Sequence, residues 1–173
     1  MFADEVGLKD ARDQLGTILG FFPRVDAKLS TLLAIDTAML ASLSASVPSI
    51  HAVSPWMAIA PLATAELLVA SYVHLYRGGF PDVKGGQHSI VFFKEIAART
   101  ESKFIEEYSD QTPDSLRRDV LGQVWRNSEI LVEKYRSLRL AFVCMALGAI
   151  PWSVSLALFS LSRTNVQVLV QHP

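Results

Sequence analysis

Two carboxylates stand where apolar residues are expected. Asp36 lies in an apolar stretch from about Leu29 to Ile50, and Glu66 in a second from about Val53 to Tyr76. A charged side chain in hydrocarbon is costly, so such acids pair, take a proton or face a polar cavity. Counted from the flanking Lys28 and Arg77, their depths differ by only about 5 Å at helical rise, so they can share one polar layer. That layer reads as an ion path, a proton site or a polar contact between subunits. It reads equally as an acid hydrogen-bonded within a helical bundle.

Other chemistry has little support. The glycine pairs Gly78-Gly79 and Gly85-Gly86, with Lys84 between them, lack the spacing and strand–helix setting of a phosphate-binding loop and read as a flexible loop. His51, His74, His88 and His172 are scattered without ligand spacing, so no metal site is expected. The single cysteine, Cys144, excludes an internal disulfide and a cysteine-based zinc site. No serine occupies a nucleophile elbow. The expectation is a protein that is not an enzyme and needs no cofactor.

The elements that position the two acids are membrane helices. Half of the 173 residues are hydrophobic and 19% are charged, against about 25% charged in an ordinary soluble domain. A bilayer crossing takes about 20 mostly apolar residues. The two stretches above meet that length, and so does Leu140 to Leu161, which carries no charge. The formal net charge of -1 exerts no general attraction for DNA or RNA. Residues 1–28 hold four basic side chains against five acidic ones, which is unlike the short positive start of a cleaved signal.

Basic residues orient the spans. Residues 1–28 hold four, residues 77–139 hold eleven, and Arg163 is the sixteenth. Cytoplasmic segments are enriched in Lys and Arg, so the N-terminus is expected inside and the C-terminus outside, with an outer turn from His51 to Pro55. The expected fold is an all-α membrane protein. An N-terminal amphipathic helix occupies 1–28, with its periodic face between residues 4 and 22, and Pro23 opens the next helix. A transmembrane hairpin occupies 29–76, a cytoplasmic helical module 77–139, the third transmembrane helix 140–161 and an outer tail 162–173. Within the module, a loop begins at Arg77. A helix then runs from about His88 to Tyr108, and Thr112 or Asp114 caps a last helix that starts near Pro113. That helix has no breaker before the membrane, so its cytoplasmic part extends about 40 Å and runs directly into the third span. Pro151 falls inside that span, where the lost backbone hydrogen bond can kink the helix. The alternation of Val166, Val168 and Val170 hints at a short strand in the tail.

Small residues recur four apart at Ala34, Ala38, Ser42 and Ser46, and again at Ala149, Ser153 and Ala157. Such spacing permits close helix packing in lipid. Asp36 lies about 200° around its helix from Ala34, so the first span has two faces with something to bind. A homo-oligomer would use one of them.

The segments in order resemble the transmembrane effector domain of the Pycsar bacterial anti-phage systems. The resemblance runs over residues 10–160 and rests on these stretches: Asp26-Ala27-Lys28 leading into Leu32-Leu33; Ser89-Ile90-Val91-Phe92-Phe93 with Ile96-Ala97; Leu116, Asp119 and Leu121; and Gln123-Val124-Trp125-Arg126-Asn127-Ser128-Glu129-Ile130 ending at Lys134-Tyr135. It implies a multi-pass protein of the bacterial inner membrane that answers a nucleotide second messenger, a cyclic pyrimidine mononucleotide within the family. The implied response is membrane damage and growth arrest or death of the infected cell. This sequence shows no β-rich cyclic-nucleotide-binding segment, so the helical module takes the messenger itself, a partner does, or the messenger is of another type. A binding module would need cations for phosphate, a flat apolar surface for the base and polar groups for its edge. Lys28, Arg99, Arg126 and Lys134 supply charge, Phe92 and Trp125 supply surface, and Ser89 and Asn127 supply hydrogen bonds. Two other readings compete: a small ion or proton transporter subunit using Asp36 and Glu66, and a membrane anchor for a soluble signalling partner.

Overall fold

The structure, a computed structural model, describes residues 2–48, 55–80, 86 and 88–171. The expected outer turn, and most of the loop with Lys84 and Gly85, lie outside them. The described elements are α1 (Phe2–Leu19), α2 (Phe22–Ser46), a 3-10 turn (Pro55–Ala58), α3 (Ile59–Gly79), α4 (Phe93–Ala97), α5 (Glu101–Ser109) and α6 (Pro113–Gln171). No strand occurs among the described residues. The chain divides into two compact units: Met1–Asp26 with Pro81–Tyr135, and Ala27–Phe80 with Arg136–Pro173.

Local chemistry accounts for the breaks. α1 ends at Leu19 and α2 starts at Phe22, earlier than the expected end near residue 22. Pro23 has no N–H to offer the carbonyl four residues back, that of Leu19, so the ladder fails there and restarts with Pro23 in the first turn of α2. The loop expected from Arg77 begins later, because α3 runs through Gly79 and Phe80 N–H closes its last turn on Tyr76 O at 2.9 Å.

The single helix expected from His88 to Tyr108 is two short ones. His88 has φ of 64°, a left-handed conformation that ends helical continuity. Ser89 Oγ accepts from the amides of Val91 and Phe92 at 3.1 and 3.0 Å, and Thr100 Oγ1 caps α5 by accepting from Lys103 N–H. Hydroxyl side chains thus take amides that a continuous helix would use.

α6 starts as expected, with Pro113 first and Thr112 Oγ1 accepting from Ser115 N–H at 3.2 Å. Its backbone stays helical through Pro151 to Gln171. The strand suggested by alternating valines is therefore absent. Adding a residue to an existing helix gains a hydrogen bond, whereas a lone strand has no partner to pair with.

In the second unit, Leu29, Leu32, Met39 and Leu43 of α2, Leu68 and Leu75 of α3, and Ala141 and Phe159 of α6 are buried. Many large apolar side chains, including Leu33, Leu40, Val69, Phe142, Leu147 and Ile150, point outward. An exterior this apolar is unlike that of a soluble domain. Three helical stretches, Val6–Ser46, Pro55–Gly79 and Pro113–Ser162, are each long and apolar enough to cross a membrane. Gly78 is where the three helices crowd: a Cβ there would stand 3.1 Å from both Leu29 Cδ2 and Ser137 Cβ. The first unit buries Ala11, Val25, Ile90, Phe92, Val120 and Leu131.

Candidate functional site

The polar groups of the first unit gather on Ser89. Its buried hydroxyl donates to Asp119 Oδ2 at 3.0 Å and accepts from Gln123 Nε2 at 3.1 Å, in addition to the two amides above. Asp119 Oδ2 also accepts from Ile90 N–H at 2.8 Å. Arg99 closes the other side: Nη1 donates to Ser89 O at 3.1 Å and to Glu95 O at 2.6 Å, and Nε meets Glu107 Oε2 at 2.6 Å. Residues 88–92 are thereby fixed to α6 by side chains one turn apart, Asp119 and Gln123, which share a helix face.

Of the eight residues expected to meet a ligand, the structure brings Ser89, Phe92 and Arg99 together, and Arg126 stands half-buried against Gly86. Phe92 is buried and stacks edge-on with Phe93 at 4.9 Å. Trp125 is exposed. Asn127 Nδ2 donates to Gln123 O at 2.8 Å on its own helix. Lys134 is buried and its Nζ meets Asp26 Oδ1 at 2.5 Å, 5.9 Å from the centre of the Phe22 ring. Lys28 is exposed and belongs to the second unit. Asp119 and Gln123 are the partners that residue-type reasoning passed over, although both fall within the stretches that carried the resemblance.

The second unit separates the two intramembrane acids. Asp36 is 0% exposed and Glu66 is exposed. The buried face of α3 is Thr64, Leu68, Ser71, Leu75 and Gly78, and Glu66 lies about 200° from Thr64 and from Leu68. Matching depth did not imply matching azimuth, so the expected shared layer does not form. Asp36 meets Ser71 instead: Ser71 Oγ donates to Asp36 Oδ2 at 2.6 Å and stands 3.2 Å from Ala141 O. One hydroxyl thus links α2, α3 and α6. Asp36 Oδ1 is buried without a hydrogen-bond partner. Further along, Trp152 Nε1 donates to Met39 O at 3.0 Å and to Ser42 Oγ at 3.1 Å, a second polar tie between α6 and α2.

The apolar exterior and the three long helices define a multi-pass helical membrane protein. Residues 10–161 match the model of the Pycsar effector protein domain, and the chain belongs to that family. It is an effector of anti-phage defence by that membership. Comparison with curated proteins and with solved structures returns no match.

Proposed function

We propose that the chain senses a nucleotide second messenger through its helical module, assembles with further copies and impairs the bacterial inner membrane without a catalytic step. The observation that carries this reading is the continuity of α6. That one helix supplies Asp119 and Gln123 to the Ser89 network, and Ala141 and Trp152 to the contacts inside the membrane unit. A change in the packing of its first half has an unbroken route to its second. Assembly is supported by the small-residue faces: Ala34, Ala38, Ser153 and Ala157 are all exposed, which leaves close-packing surfaces for another copy. The distribution of Lys and Arg supports an N-terminus and helical module on the cytoplasmic side.

Dye leakage from liposomes holding purified, inserted protein tests the reading. Leakage on addition of one member of a panel of cyclic mono- and oligonucleotides is expected. Silence with every nucleotide would move the sensing step to a partner protein. The buried, unmet Oδ1 of Asp36 favours a second reading, in which Asp36 serves ion or proton passage. Ion flux without any nucleotide, abolished in Asp36→Asn, would select it.

A further inference from the structure

Several cations of the first unit are already engaged. Arg99 has three acceptors, Lys134 has Asp26, and both Arg117 and Arg118 pair with Asp114. Arg126 differs. Its Nη1 is buried with no hydrogen-bond partner, as is Nε of Arg117, but among the described residues no carboxylate pairs with Arg126. A buried donor left unmet is costly, more so when charged, and points to an acceptor that arrives from outside the chain.

The surroundings hold this guanidinium in place. Its Nη2 passes 3.6 Å from the position a Cβ would take at Gly122, one turn earlier on α6. The guanidinium then ends against Gly86, where a Cβ would overlap it. The backbone at residue 86 approaches the cation this closely only because glycine has no side chain. A guanidinium pinned between two glycines with unused N–H groups matches a phosphate diester, which it can meet with parallel hydrogen bonds.

We infer that Arg126 is the phosphate-binding residue of the module and that, given the nucleotide reading above, it holds the cyclic phosphodiester of the messenger. A phospholipid headgroup offers the same chemistry.

The test is calorimetric titration of the full chain in phosphatidylcholine nanodiscs with cyclic pyrimidine and purine mononucleotides. Arg126→Gln is expected to weaken binding about 100-fold, Arg126→Lys about tenfold, and Gly86→Ala to weaken it while retaining the charge. The thermal midpoint of Arg126→Gln should hold or rise, since a half-buried cation with an unmet nitrogen is removed; a purely structural arginine would lower it. Wild-type affinity in Arg126→Gln would overturn the inference and leave the nucleotide reading standing. No nucleotide binding by the wild-type chain would overturn both. A parallel arm measures phosphatidylglycerol retained by the purified protein: loss of that lipid in Arg126→Gln, with nucleotide affinity unchanged, would assign the site to lipid and reject the messenger.

Discussion

Ser71 Oγ lies 2.6 Å from Asp36 Oδ2, and both side chains are fully buried among helices suited to lipid. Ser71→Ala leaves the acid without its hydrogen bond and is expected to destabilise the membrane unit by about 1–3 kcal/mol. Asp36→Asn keeps the shape and an acceptor for Ser71, so its cost should be smaller than that of Ser71→Ala. Unfolding of the purified variants in micelles ranks the two. Asp36→Asn proving the more damaging would show that the carboxylate itself is required.

Among the described residues of the first unit, the Ser89 side chain joins the most groups. Its replacement by alanine removes the acceptor of two amides and of Gln123 and frees one Asp119 contact. A loss of about 2–3 kcal/mol is expected, at about 1 kcal/mol for each net hydrogen bond with partial compensation by water. Hydrogen exchange should report it first at the amides of Ile90, Val91 and Phe92. Unchanged protection there would mean that Asp119 and apolar burial hold the segment by themselves.

The pair of Lys134 with Asp26 is asymmetric, with 6% of the lysine side chain exposed against 50% of the aspartate. Removing the acid strands a buried cation, whereas Lys134→Met removes the charge and keeps most of the volume. Asp26→Asn should therefore cost about 1–2 kcal/mol, discounted for the wet side of the pair, and Lys134→Met less. Denaturant titration of both variants, and of the double variant, gives the coupling. Equal losses would mean that the pair acts as an ordinary surface contact.

Two glycines should respond oppositely to alanine. At Gly78 the new methyl meets Leu29 and Ser137 at 3.1 Å, and overpacking of this kind costs about 1–3 kcal/mol. At Gly16, inside α1, nothing stands within 4 Å of the added carbon, so the gain in helix propensity should stabilise by about 0.5–1 kcal/mol. Thermal melts of the two variants carry the comparison. A neutral Gly78→Ala would show that the helices slide apart at little cost.

The family relation was legible because it rests on the order of short stretches along the chain, such as Ser89 to Phe93 and Gln123 to Ile130, which needs no coordinates. The binding residues were less legible. Residue type alone nominates every cation, and it cannot tell that Lys134 and Arg99 are already matched by Asp26, Glu107 and carbonyl oxygens. Arg126 and Lys134 look equivalent in the sequence, and only their neighbours separate them.

What the sequence by itself determined is whatever depends on local chemistry. Apolar runs of sufficient length set the three candidate spans, Pro23 sets the break before α2, and Thr112 with Pro113 sets the start of α6. Each follows from hydrogen bonds or transfer energies within a few residues of chain. Only the tertiary structure decided which way each helix faces. Asp36 found Ser71 and not Glu66, Ser89 met Asp119 and Gln123, and Gly78 became the crowded point. Those outcomes depend on the rotation of one helix against another, which is set by packing many side chains at once.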